Sequence, residues 1–196
     1  GQLLQGTAIQ RQYYTMSEMV KTDWQALKSN PDHDARDKLK PALLNKYREY
    51  LQEYIAALEN HDNIVLFYCL VWACDCEQFD WALSLCDYAV KTKQRSDVFR
   101  RGHEDFTADA VMKFCEQPQN KGVKLPEVFW QVFERIKSGQ WTVCGTFASR
   151  FYKLAGDEVS ATEPRLALGY FERAHSLNNT VGVKGRIDAL TKQLSS

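Results

Sequence analysis

Long apolar runs, an excess charge of one sign and cysteines in C-x-x-C spacing are all missing from this chain. Each absence closes off a class of function. The longest apolar stretch, Ile64 to Cys74, is bounded by Asp62 and Asp75, well short of the roughly 20 residues that a membrane span needs. It reads as a core helix, and no membrane contact is expected. Lys plus Arg equals Asp plus Glu at 25 each, for a formal net charge of +0. No global field therefore concentrates nucleic acid or lipid, and any polyanion contact must come from a local patch. No C-x-x-C pair occurs among Cys69, Cys74, Cys76, Cys86, Cys115 and Cys144. The nearest pair, Cys74 and Cys76, diverges by roughly 200° on a helix, away from shared ligation. Reduced, buried thiols in a cytoplasmic protein are expected, with no metal and no cofactor. No signal peptide is read ahead of them, and the opening Gly1 carries no weight.

What is present is helical text from end to end. Apolar content is 44% in 196 residues, with 12% aromatics, enough to bury a real core. The opening stretch places Ile9, Tyr13, Met16, Val20 and Leu27 in a 4-3-4 rhythm that stops at Asn30-Pro31. A second helix from about Asp34 carries Leu44, Tyr47, Leu51, Tyr54 and Leu58 alternately 3 and 4 apart, a short a/d seam. These residues are candidates for an oligomer interface. Residues 1–60 therefore read as an antiparallel hairpin or an oligomerisation or DNA-binding arm, and 61–196 as a helical core. Within that core the periodicity predicts helices at Asn63–Cys76, Phe79–Thr92, Glu104–Glu116 and from Pro126 to Gly139. Trp141–Ala155 is predicted to stop at Gly156-Asp157. Ser160 to Glu163 has capping-box spacing before Pro164. Ala167–Asn178 resembles the second helix of a tetratricopeptide repeat, and Ala82–Val90 has a similar cadence. A last helix spans Val181–Leu194. The fold class is all-α, a hairpin or arm followed by a bundle with tetratricopeptide-like helix pairs.

The search for reactive constellations returns no catalytic residues. No G-x-x-x-x-G-K-[ST] loop, G-x-S-x-G elbow or H-E-x-x-H pair occurs. Asp32, His33, Asp34 and Asp37 could hold Mg²⁺, but they also suit an acidic helix start that caps free N–H groups. His61, beside Asp62, reads as a helix-ending cation, and His175 as a surface or packing residue. Basic residues are more informative. Lys91, Lys93, Arg95, Arg100 and Arg101 crowd a loop with one acid, Asp97, and an aromatic, Phe99. Such groups on a reachable loop suit DNA phosphates, although a solvated connection has the same composition. A second stripe, Arg36, Lys38, Lys40, Lys46 and Arg48, is interleaved with acids and reads either as a secondary DNA contact or as a solvated helix face.

The order of landmarks resembles the small terminase subunit of temperate, contractile-tailed phages that package cohesive-ended DNA. The similar text runs from Tyr14-Thr15-Met16 and Met19-Val20-Lys21 through Ile64–Trp72 into Phe79–Lys91. It continues with Arg100-Arg101, Phe106–Val111, Ala167–Ala174 and Val181–Lys184. The resemblance implies a non-ATPase partner of a packaging motor in the host cytoplasm. Such a subunit binds the packaging site on double-stranded phage DNA, forms a homo-oligomer and recruits the large terminase subunit. Members are often labelled the endonuclease subunit, yet no position here matches a nuclease motif. The alternative is a tetratricopeptide-like adaptor that grips a protein partner without DNA.

Overall fold

The computed structural model describes the backbone of residues 2–195 apart from 97, 99 and 121, and side chains from residue 10 onward with the same exceptions. Ile9 of the opening rhythm, and Asp97 and Phe99 of the basic loop, thus fall outside the described side chains. Nine α-helices and one 3-10 turn (Pro118–Asn120) are present among the described residues, with no strand. The chain is all-α. It forms two compact units, Gly1–Thr107 and Ala108–Ser196.

In the first unit, α1 (Gln2–Ser29) and α2 (His33–Ala56) form an antiparallel hairpin closed at Asn30-Pro31. Lys46 and Tyr47 of α2 both bond the carboxylate of Asp23 on α1, and Gln12 meets Glu53 at the far end. Asp32 caps α2 by accepting from the backbone N–H groups of Asp34 and Ala35, which is the capping use of the acidic cluster. Pro41 lies inside a continuous α2. Under the hairpin runs α3 (Ile64–Asp75), buried on every side from Val65 to Cys74, as its unbroken apolar text requires. Trp72 of α3 is wholly buried beside Tyr47, and Tyr68 packs on Trp24. An amphipathic α4 (Phe79–Lys91) completes the layer. The unit ends within α5 (His103–Cys115).

The second unit contains α6 (Glu127–Lys137), α7 (Gly145–Val159), α8 (Pro164–Leu177) and α9 (Lys184–Leu194). Its core stacks Phe129 on Phe151 at 5.1 Å, with Phe133 edge-on to Tyr152 and Tyr170. Four expectations are corrected here. Trp141 precedes α7 instead of belonging to it; it is buried, its N–H reaches Arg135 O, and the Arg135 guanidinium lies over its ring. Gly156 does not stop α7, which runs on to Val159. Ser160 makes no capping box: its hydroxyl donates back to Asp157 O, and Glu163 is the N-cap of α8 without a side-chain bond. The last helix also starts later, at Lys184, with Val183 buried as its N-cap.

Gly156 has a packing reason. A Cβ there would lie 2.7–2.9 Å from ring atoms of Phe171 on α8. Helix propensity alone predicts that Ala at position 156 gains about 1 kcal/mol. Overpacking against a fully buried ring costs about 1–3 kcal/mol, so the clash should win. Gly156→Ala should lower the thermal midpoint; a raised midpoint would show that Phe171 moves aside freely.

Candidate functional site

The basic loop between α4 and α5 is held by a buried polar network. Asn63, only 2% exposed, caps α3 by accepting from the N–H groups of Val65 and Leu66. Its amide nitrogen donates to Tyr50 Oη at 3.0 Å, and its backbone N–H donates to Gln94 Oε1 at 3.1 Å. Gln94 Nε2 then donates to Tyr54 Oη, whose own hydroxyl donates to His61 O. Burial, opposed by the Asn63 bond, pushes the Tyr50 phenol up to about 12, and Tyr54 is raised for the same reason. Two further ties lie alongside: Tyr88 Oη donates to Glu59 O, and Arg95 N–H to Asp62 Oδ1 at 2.7 Å. The segment 57–63 and the start of the basic loop are therefore fastened together.

The geometry follows from local sequence. Lys93 adopts φ 56, ending α4 in a left-handed turn in which its N–H bonds Val90 O and the Gln94 N–H bonds Ala89 O. That reversal turns the amide of Gln94 inward while Lys91, Lys93 and Arg95 are exposed. Arg100 and Arg101 are exposed immediately before α5. At the start of α5, His103 is 3% exposed, edge-on to Phe67 at 5.3 Å, and its Nε2 has no hydrogen-bond partner. Desolvation lowers its pKa to about 4, against a smaller opposing pull from Asp62. Neither Gln94 nor His103 was legible as an anchor, because polar residues in a polar loop give no periodic signal.

Elsewhere the structure disperses the sequence candidates. Lys40 bonds both Asp37 and Asp75 at 2.7 Å, Lys46 pairs with Asp23, and Arg48 lies over the Trp81 ring and reaches Gln78. Lys38 is exposed. Leu44, Tyr47 and Leu51 are fully buried and Tyr54 nearly so, filled in by the chain itself; Leu58 is 73% exposed. His61 does not end a helix. It follows α2 by several residues and packs against Tyr13 and Tyr54. Cys144 is exposed and Cys76 half-buried, where six buried thiols were expected. Burial raises the pKa of Cys69, Cys74 and Cys86, which suppresses the nucleophilic thiolate. No group of three His, Cys, Asp or Glu suited to a metal occurs among the described residues, and no described helix is long and apolar enough to cross a membrane.

A family model described as the phage small terminase subunit matches residues 18–143, a span that includes the anchored loop and its whole network. The chain belongs to the phage small terminase subunit family. A curated protein of Haemophilus phage HP1 (strain HP1c1), named as a terminase endonuclease subunit, is 25% identical over 169 residues. The matched region covers 79% of this chain and 60% of that relative, so the chain spans less than two thirds of the relative's length. No solved structure matches. Family membership thus rests on the first unit and the start of the second, whereas the Ala167–Lys184 landmark lies beyond the family match.

Two measurements check this architecture. Gln94→Leu would leave the buried Asn63 N–H and Tyr54 hydroxyl each short of a partner, at about 1–3 kcal/mol per group. A urea midpoint lowered accordingly, with faster amide exchange at Arg95, is the expected outcome; an unchanged midpoint would remove the network from the stability of the fold. For His103 the folded value near 4 lies below the ordinary 6.5. Stability is therefore complete above pH 6.5 and declines as pH falls toward 4, by at most about 1.4 kcal/mol per pH unit. His103→Phe should flatten that acid phase relative to the parent protein in pH-dependent urea unfolding.

Proposed function

We propose that this chain is the DNA-packaging small subunit of a phage terminase. In this reading it binds the packaging site on double-stranded phage DNA in the host cytoplasm, assembles into a homo-oligomer and recruits the large ATPase subunit. The observation that carries the reading is the set of exposed cations between α4 and α5: Lys91, Lys93 and Arg95 flank Gln94 and the Arg95 N–H, which are tied to Asn63, Tyr54 and Asp62, and Arg100 and Arg101 precede α5. Phosphate contacts need cations on a reachable but ordered element, since an ordered loop loses less entropy on binding. Family membership supports the same role. Residues 1–107 carry 13 Lys and Arg against 16 Asp and Glu, so attraction to DNA must be local instead of coming from the unit's overall charge.

For the oligomer contact, Leu58 is the member of the seam that solvent reaches. The 1–60 hairpin would then contribute to assembly through its outer surface, with Lys38 the most accessible secondary DNA candidate. Any DNA cutting is assigned to the large subunit, with this chain supplying specificity. The endonuclease label belongs to the HP1 relative's name. A second reading, a protein-binding adaptor, draws on the close α7–α8 approach at Gly156 and Phe171.

Reversing the loop charge separates the two. Arg100→Glu with Arg101→Glu should weaken binding to packaging-site duplex and reduce the slope of log K against log salt by about 2, at roughly 0.9 per phosphate contact. Binding and slope both unchanged would take this loop out of the interface. Light scattering with and without duplex reads assembly directly. A monomer indifferent to DNA would favour the adaptor.

A further inference from the structure

A cleft of about 240 Å³ opens within the first unit, away from the basic loop, at the turn between α1 and α2. Trp24, Leu27 and Lys28 line it from the end of α1, His33, Arg36, Asp37 and Lys40 from the first turns of α2, and Asp75 from the end of α3. Three permanent cations thus face two carboxylates. Both carboxylates are already taken: Asp37 and Asp75 each accept from the ammonium of Lys40 at 2.7 Å. The shared ammonium and neighbouring His33 and Arg36 hold the Asp37 carboxyl below its ordinary range, the Lys40 bond contributing most. What remains is cationic. Arg36 Nε is enclosed by protein yet has no hydrogen-bond partner, an arrangement that costs about 1–3 kcal/mol unless an acceptor satisfies it.

We propose that this cleft binds a phosphate group, with the Arg36 guanidinium as its central donor, Lys28 as a second cation and the His33 imidazole able to offer a further N–H. Cations supplied by two helices, Lys28 from α1 and Arg36 from α2, suit the higher charge of a phosphate better than that of a carboxylate. Guanidinium is the group most often used for this contact. Leu27, 5% exposed, forms an apolar floor that limits competition from water. At 240 Å³ the cleft suits a phosphate better than a whole nucleotide, since drug-sized sites begin at roughly 300 Å³. The phosphate could come from a DNA backbone or from a free phosphate compound. Only the first source rests on the DNA-binding reading above.

The Nε–Hε resonance of Arg36 reports on contact at its guanidinium. It is assigned by its disappearance in Arg36→Lys, and the full chain is titrated with inorganic phosphate, acetate and chloride at matched ionic strength. Saturable movement of that resonance with phosphate, exceeding the movement with acetate and chloride, is the expected result, together with its loss of any counterpart in Arg36→Lys. Equal response to acetate would replace the phosphate site with a carboxylate site, and linear drift with every salt would remove the site altogether. Titration with short duplex then distinguishes the sources. Movement by duplex supports a backbone phosphate, and movement by phosphate alone supports a free phosphate compound. Repeating both titrations on Arg100→Glu with Arg101→Glu keeps the two readings apart. Loss of loop-dependent DNA binding there should leave the phosphate response of Arg36 intact, and a lost response would overturn the site's independence from the loop.

Discussion

Three of the polar groups of Asn63, in an almost water-free position, are each spent on a different element. Its side-chain oxygen starts α3, its amide holds α2 through Tyr50, and its backbone N–H fixes the loop after α4 through Gln94. A buried polar group left without partners costs as much as several exposed contacts provide. The start of the most apolar helix and the position of the basic loop are consequently one problem with one solution. The loop need not be rigid in itself, because its first residues inherit the order of the α3 cap.

That dependence explains which parts of the architecture could be read in advance. Helices α4 and α6 announce themselves through periodicity, since Phe129, Val132 and Phe133 share one face only in helical register, whereas α3, apolar on every side, is marked by the length of its run. Gly156 misleads because a glycine before an aspartate carries the same local signal as a helix stop, while its actual role depends on Phe171, far along the chain. Trp141 misleads likewise: its burial under Arg135 is a tertiary fact that its neighbours do not encode. The seam of Leu44, Tyr47 and Leu51 was visible as a surface needing a partner, but periodicity does not say whether that partner is another copy or the same chain. α1 and α3 supply it here.

The same limit applies to charge. Sequence shows cations at Lys40, Lys46 and Arg48 but not that the carboxylates of Asp75 and Asp23 and the ring of Trp81 are brought to meet them. Once folded, these three are committed to joining helices, and displacing their partners would cost a ligand part of what it gains. The residues after α4 differ because the left-handed turn at Lys93 commits the backbone and leaves the charged heads outside. The bonds of the Gln94 amide and the Arg95 N–H thus fix the start of the loop without using the heads of Lys91, Lys93 and Arg95.

In a unit with more acids than bases, these arrangements set where an anion can approach. Acids spread over the surface repel a polyanion at distances up to the Debye length, about 8 Å in physiological salt. Close contact must therefore occur where cations stand clear of that background or where the carboxylates are already neutralised. The loop meets the first condition through exposure. The α1–α2 cleft comes closer to the second, because Lys28, Arg36 and Lys40 together outnumber the carboxylates of Asp37 and Asp75 that line it. Contacts selected in this way act over short range, so recognition would depend on placing phosphates at particular positions more than on gathering DNA from a distance. Under the proposed function, such short-range contact would suit finding one packaging site without coating the whole genome.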